Sequence, residues 1–292
     1  MSKKHLVFII NPNSGIDRRK EIKKAIDITL DLALFSYEII HTEFAKHGTE
    51  LAKEAARNNA YCVVAVGGDG SVNDIVNGLM DTETLLAIIP KGSGNGMART
   101  IGIPLDTIEA LKLINIGKTA EMDLAFANNK TFISNAGVAF DALISKKFAK
   151  SKQRGLLMYA WLITKHLWLY KEWDWHITID GKEYKEHAFV VNIANGQQFG
   201  YNFKIAPTAS YTDGVLDVVI IRNFPKILGA IIAIRGLTGS LLNSPFVKHY
   251  TGKKITITHP LLRLMQTDGD AFPCENKIIF TIKKGAQKVI VP

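Results

Sequence analysis

The chain has 292 residues, of which 47% are apolar and 22% charged, and a net charge of +9. That mix excludes a chain disordered throughout, and the length suits two domains better than one. The charge favours an anionic partner, whether nucleotide, nucleic acid or acidic membrane surface, without choosing among them. Two cysteines, Cys62 and Cys274, read as thiols of a reducing compartment, not as a disulfide framework. The opening MSKKHLVFIINPNSG has too short an apolar run for a secretory signal. No segment reaches the roughly 18 apolar residues a membrane span needs. The strongest candidate, 227–234, is halted by Arg235. A cytoplasmic protein, at most peripheral on the inner face of a membrane, is expected.

In chain order, 5–10 is a short apolar strand closed by Asn11-Pro12-Asn13-Ser14-Gly15. Residues 18–34 carry Ile22, Ile26 and Leu30 at helical spacing. A strand over 37–42, a helix over 48–58, a β-branched strand over 61–66 and a helix over 71–80 follow. Residues 85–89 form a fourth strand, 97–100 a short helix and 107–114 another. This alternation predicts a parallel sheet with helices on both faces, with ligands bound outside the carboxyl ends of its strands.

After residue 121 the pattern turns strand-rich. Strands are predicted over 122–126, 131–135, 175–179, 189–194, 215–222, 254–259 and 278–283. Helices are predicted over 155–170 and 224–243, with a weak one over 141–148. Turns such as Asn128-Asn129 and Asp180-Gly181 suit antiparallel pairing. The fold class is therefore α/β with two domains. Residues 1–121 form a parallel-sheet nucleotide-binding domain and 122–292 a mainly antiparallel, β-rich one, with a return of the last residues to the first domain left open.

Two glycine-rich turns lie at neighbouring strand ends, Gly67-Gly68-Asp69-Gly70-Ser71 and Lys91-Gly92-Ser93-Gly94-Asn95-Gly96. Glycine lets a phosphate touch the main chain, and N–H groups at a helix start attract anions. Neither turn is a P-loop, and the second lacks the G-x-G-x-x-G spacing. A carboxylate beside phosphates is repulsive unless a metal lies between them, so Asp69, with Asp74, suggests Mg²⁺-nucleotide chemistry. A plain Asx-turn or helix N-cap at Asp69 is the competing reading.

Gly67-Gly68-Asp69-Gly70-Ser71 with Asn73-Asp74 resembles the G-G-D-G-[ST]-x-N-[ED] signature of the diacylglycerol kinase catalytic-domain family. Asn11-Pro12-Asn13-Ser14-Gly15 resembles that family's opening. Gly92-Ser93-Gly94-Asn95 with Ala98-Arg99 and Gly102-Ile103-Pro104 resembles its next motif. Asp213-Gly214 with Leu216-Asp217, and Asp268-Gly269-Asp270, resemble two later ones. Five motifs in order cover almost the whole chain. The resemblance implies a nucleotide-binding α/β domain, a β-sandwich-like domain and an active site in the cleft.

By that resemblance Asn11, Thr42, Gly67, Gly68, Asp69, Gly70, Ser71, Asn73, Ser93 and Asn95 hold ATP, and Asp69 acts on the phosphates through Mg²⁺ or water. Asp268 is the implied general base toward a lipid hydroxyl, a role that needs a carboxylate within hydrogen-bond reach of it. Asp270 stands where the family usually has Glu and keeps the charge with a shorter reach. Asp213 matches a structural Mg²⁺ position, with main-chain carbonyls equivalent to those of Ser210 and Val215 as further ligands. A simple turn at Thr212-Asp213-Gly214 fits equally. Gly96 departs from the family's usual Asp, and Ile16 from a Lys in some members. A diacylglycerol or sphingoid-like acceptor in phospholipid metabolism is implied. A soluble acceptor such as NAD, or a non-catalytic nucleotide- or lipid-binding regulator, remains an alternative.

Lys146, Lys147, Lys150, Lys152 and Arg154 precede an aromatic and aliphatic run, 156–170. This suits either an interfacial helix on anionic lipid or a core-packed helix beside a solvated basic loop. His41-Thr42-Glu43 with Pro273-Cys274 lacks the second cysteine of a zinc deaminase, since Lys277 stands there. No nucleic-acid module is recognisable, so no nucleic-acid partner is expected.

Overall fold

The computed structural model describes residues 3–12, 19–151 and 155–292. Their contacts divide the chain into two compact units, one of 1–123 with 284–292 and one of 124–283.

In the first unit β1 (Lys4–Ile10), α1 (Arg19–Thr29), β2 (Phe35–His41), α2 (His47–Arg57), β3 (Cys62–Gly67), α3 (Asp69–Leu79), β4 (Leu85–Pro90), α4 (Gly96–Ile101) and α5 (Thr107–Ile116) follow one another. β5 (Thr119–Ala127) comes next and leads into the second unit. The strands pair in parallel in the order β4-β3-β1-β2. Every residue of β3 and β4 is buried, so continuous Val, Ile and Leu runs replace alternation. Register brings the carboxyl ends together: Ile10 opposes His41 and Val66, and Gly67 opposes Pro90.

α1 stops at Thr29, short of the predicted 34. The Asp31 carboxylate accepts the Ala33 N–H at 2.9 Å, a local bond that competes with helix continuation. α5 opens on a conventional cap, with the Asp106 carboxylate accepting the Ile108 and Glu109 N–H groups at 2.9 and 3.1 Å.

The second unit holds β6 (Lys130–Phe132), β7 (Asn135–Ala139), α6 (Phe140–Ala149), α7 (Leu156–Leu167), β8 (Trp173–Ile179), β9 (Lys182–Ala194), β10 (Gln198–Gly200), β11 (Phe203–Lys204) and β12 (Leu216–Arg222). After them come α8 (Gly229–Thr238), β13 (Val247–Gly252), β14 (Lys254–Thr258), β15 (Leu264–Thr267), β16 (Asp270–Pro273) and β17 (Lys277–Ile290). Pairing is antiparallel along β16-β15-β7-β9-β8-β14-β17, and β12 joins β9 to β13. One core gathers Trp175, Phe132 and Phe280. A second, around Phe140, Phe189 and Phe224, takes Leu162 of α7 and Ile232 of α8. The end of β17 returns to the first unit, where Val289 pairs with Leu86 and Gln287 Nε2 donates to the Thr84 carbonyl at 3.0 Å.

Two predicted elements divide. The helix expected over 224–243 becomes a 3₁₀ turn at Lys226–Leu228, then α8, then a second 3₁₀ turn at Leu241–Asn243. Gly239, at φ 77°, ends α8 in the left-handed conformation and donates its N–H to the Arg235 carbonyl. The strand expected over 131–135 breaks at Ile133 and Ser134, whose N–H groups turn to a side chain described below. β10, β11, β13, β15 and β16 were not anticipated. They are short; β10 pairs β11 and β15 pairs β16 across short turns, while β13 pairs the more distant β12 and β15 also pairs β7.

Ala139, between β7 and α6, sits at φ 77°, ψ −130°, a region costly for any residue with a Cβ. Ala139→Gly is expected to raise stability by about 1 kcal/mol, read as a higher urea midpoint at unchanged m-value. A lower midpoint would show that the Ala139 methyl contributes more packing than its backbone costs.

Candidate functional site

In the first unit the two glycine-rich turns touch. A Cβ at Gly92 would lie 2.4 Å from the Gly68 Cα, and one at Gly68 would lie 3.0 Å from the Gly92 Cα, so each turn requires the other's glycine. The second turn is closed by Asn95, whose Oδ1 accepts the Gly92 N–H at 2.9 Å and whose Nδ2 donates to the Gly92 carbonyl at 2.8 Å. Asp69 then ties the turns together. Its carboxylate accepts the Gly96 and Met97 N–H groups at 2.9 and 3.0 Å, capping α4 from the start of α3. Burial raises its pKa, and those two N–H bonds partly offset the shift. The Asp69 side chain thus caps α4 and not α3, the helix it begins, and Gly96 contributes a main-chain donor to it.

Gly68 stands at the N-cap of α3 and makes no side-chain cap hydrogen bond, a condition under which a helix start attracts an anion. A Cβ on Gly70 would meet nothing within 4 Å. Beside this helix start lies a pocket of about 270 Å³ lined by Asn11, Thr42, Phe44, Lys46, Ser71 and Asp74, among others. Asn11 Nδ2 donates to Ser71 Oγ at 3.3 Å across it. Three residues far apart in the sequence, Asn11, Thr42 and Ser71, therefore line one cavity, because the parallel register aligns their strand ends. Asn73 faces along α3 and accepts from Asn77 Nδ2 at 2.8 Å. Ser93 is exposed at the tip of its turn, and Gly67 receives the Lys91 N–H on its carbonyl at 2.8 Å. Asn13, Ser14, Gly15, Ile16 and Arg18 of the opening motif lie outside the described residues.

In the second unit Asp268 and Gly269, at φ 49° and 88°, form the two-residue turn between β15 and β16, where Thr267 opposes Asp270. The Asp268 carboxylate receives three main-chain donors: Ile133 N–H on Oδ2 at 2.9 Å, and Ser134 and Asn135 N–H on Oδ1 at 2.8 and 3.2 Å. This explains the break between β6 and β7. Asp270 is exposed at the start of β16.

Behind Asp268 lies a polar network that sequence reasoning missed. Gln266 Nε2 donates to Asn135 Oδ1 at 2.9 Å and to the Asp141 carboxylate at 3.4 Å, and Asn192 Nδ2 donates to Asp141 at 3.4 Å. Burial pushes the Asp141 carboxyl up to about 7, against the opposing effect of these amide donors. Gly137 makes room for it, since a Cβ there would lie 2.0 Å from Asp141 Oδ2. The only signal in the sequence was a carboxylate set in an apolar helix start, Phe140-Asp141-Ala142-Leu143.

A raised carboxyl pKa means that the folded protein keeps a proton which the unfolded chain has lost. Stability is present below the ordinary 3.8 and falls as pH climbs toward about 7. Stability read from urea unfolding is expected to decline across that window by roughly 4 kcal/mol at most, and Asp141→Asn should flatten the decline. A parallel decline in the variant would remove Asp141 as its cause.

At the third predicted position, Asp213 Oδ1 accepts the Val215 N–H at 3.1 Å and Ser210 Oγ lies 3.1 Å from Thr212 Oγ1, which is the geometry of a turn. Among the described residues no three or more His, Cys, Asp or Glu side chains gather as a metal-binding group, and no helix is long and apolar enough to cross a membrane.

Comparison with known proteins agrees with this architecture. Residues 5–127 match the model of the diacylglycerol kinase catalytic domain, and residues 134–290 that of the YegS C-terminal NAD kinase beta sandwich-like domain. The chain is 26% identical to the diacylglycerol kinase of Bacillus subtilis, over 90% of this chain and 88% of that one. It is 31% identical to a Chromohalobacter salexigens protein named "probable lipid kinase YegS-like", over 62% of this chain and 60% of that one. The chain spans less than two thirds of that relative and of a Synechocystis relative, for which the share is 65%. A crystal structure from Bacillus anthracis superposes with a TM-score of 0.82 at 24% identity, over 100% of this chain and 98% of that one, a likeness of fold. With both of its parts matched in order, the chain belongs to the diacylglycerol kinase catalytic-domain family over residues 5–127 and carries a YegS C-terminal NAD kinase beta sandwich-like domain over residues 134–290.

Proposed function

We propose that the protein transfers the γ-phosphate of ATP to a hydroxyl of a lipid, diacylglycerol or sphingoid-like. The observation that carries this reading is the glycine-to-glycine contact of two strand-end turns, beside a cavity lined by Asn11, Thr42 and Ser71. Uncapped helix N–H groups there suit the phosphates, and the cavity suits the nucleoside. Asp268 takes the hydroxyl proton as the lipid oxygen bonds to phosphorus and the bond to the β,γ-bridging oxygen breaks, leaving ADP. Mg²⁺ fits the nucleotide end, where the Asp74 carboxylate lines the same cavity. It would neutralise phosphate charge there. The Asp213 turn is kept as a proposal for a second, structural ion.

The name of the matched C-terminal model, NAD kinase beta sandwich-like, favours NAD as a rival acceptor. Labelled ATP with Mg²⁺ and a panel of diacylglycerol, monoacylglycerol, sphingoid base, phosphatidylglycerol and NAD separates the two. Label on a lipid supports the proposal, and label on NAD alone replaces it. ATP binding without label on any acceptor would favour a non-catalytic regulator.

A further inference from the structure

α7 and α8 are apolar on the side that packs against the Phe140–Phe189–Phe224 core and also on the side that does not. In α7, Leu162 is buried and Met158, Tyr159 and Ile163 pack on that core. The opposite stripe, spaced by one helical turn and continuing past its end, carries Leu157 at 87% exposure, Trp161 at 51% and Trp168 at 65%. In α8, Ile232 and Gly236 are buried. The stripe facing away carries Ile231, Ile234 at 57% and Leu237, with Ile227 at 79% on the preceding 3₁₀ turn. A helix apolar all round belongs in an apolar surrounding, and the fold supplies it on one side only. The two helices adjoin: a Cβ on Gly229 would lie 2.8 Å from Leu167 Cδ2, and Lys226 pairs with Glu172 between them.

Charge says what covers the other side. Neither 155–171 nor 223–243 contains an Asp or Glu. Cations border both stripes. Lys165 Nζ stands 4.7 Å from the Trp161 ring centre, and Lys146, Lys147 and Lys150 are exposed on and just after the neighbouring α6. Lys147 and Lys165 both act on His166, whose pKa is lowered by burial and then by these two charges, so the cations converge. At the far end Arg235 lies in the last turn of α8, and Lys204 would come within 3.8 Å of a Cβ on Gly239. Lys152 and Arg154 lie outside the described residues.

We propose that α7 and α8 together form a docking face for an anionic lipid surface, with Trp161 and Trp168 at the headgroup level and the isoleucines of α8 among the acyl chains. Isoleucine, leucine and tryptophan stripes with a cationic rim, beside which the carboxylate of Glu172 is taken up by Lys226, suit such a surface better than they suit a second protein, whose interface core would be matched by its own polar rim. The proposal extends the lipid-kinase reading, since an enzyme for a membrane acceptor must reach it, but its evidence is independent of that reading. It assigns α8 as well as α7 to the face.

The test is sedimentation of the full chain with phosphatidylcholine vesicles, with and without phosphatidylglycerol. The expected result is binding to the anionic vesicles that weakens as salt is raised. Ile231→Gln with Ile234→Gln should weaken it by at least about tenfold, the factor that burying one such side chain is worth. Ile116→Gln, an exposed apolar residue of the first unit, should not. Brominated phosphatidylglycerol should quench the native tryptophan fluorescence, a readout that needs no variant. Unchanged binding by the double variant, no binding by the native protein, or a dimer that the double variant dissolves would each overturn the proposal. Because no result depends on phosphate transfer, loss of the docking face and loss of the kinase reading are distinguishable.

Discussion

Asp268→Asn is expected to lower phosphate transfer by about a hundredfold or more, the usual contribution of a general base. It should leave ATP binding in the first unit unchanged. The same carboxylate also holds the N–H groups of Ile133, Ser134 and Asn135, so it has a structural duty. An asparagine there turns one acceptor into a donor facing donors, at a cost of about 1–3 kcal/mol. The two effects separate if stability and turnover are measured on the same preparation. A base predicts that transfer per folded molecule collapses while urea unfolding shows a folded majority. If transfer per folded molecule held near the native value, Asp268 would only fix the β6–β7 break, and the base would have to be sought elsewhere in the second unit, where Asp141 is a buried carboxyl in the network behind it.

Gly92→Ala and Gly70→Ala should part company. At Gly92 the new methyl would fall 2.4 Å from the Gly68 Cα, a main-chain atom of the neighbouring turn. One turn must move, at a cost of about 1–3 kcal/mol, and the paired turns lose their alignment. Both stability and ATP affinity are expected to drop. At Gly70 the methyl meets nothing within 4 Å and stands in the first turn of α3, where alanine is the better helix former. Stability should hold or rise slightly. ATP affinity should still fall by tenfold or more if phosphate packs against that N–H. Isothermal titration with a non-hydrolysable ATP analogue, beside thermal melts, reads both quantities. Full affinity in Gly70→Ala would move the phosphates away from the start of α3.

Most of the first unit could be read without a structure because its signals are local. Val63 to Val66 and Leu86 to Ile89 are runs of buried-strand residues, and a parallel sheet with helical crossovers is nearly the only way to bury them on both faces. The same locality made the glycine-rich turns visible as anion sites. The second unit was less legible. β13 and β15 have weak patterns of their own and are completed by the remote partners β12 and β7, while β16 is added from β15 by a two-residue turn. The break after Phe132 is invisible in TFISN, since its cause, the Asp268 carboxylate, is more than 130 residues away.

From order and residue type alone came the α/β fold, the family and the strand ends where ligand chemistry gathers. Residue type did not reveal the use of each polar group. Asp69 looked like a phosphate or metal residue, and the fold turns its oxygens to the N–H groups of Gly96 and Met97. Asn95 looked like a nucleotide contact, and its amide closes its own turn on Gly92. Asp141 drew no notice, and packing made it a buried acid. The reason is physical. A backbone pattern is set by neighbours a few residues apart, whereas the partner of a buried carboxylate is whichever donor the folded chain brings within 3 Å, and that distance belongs to the assembled fold.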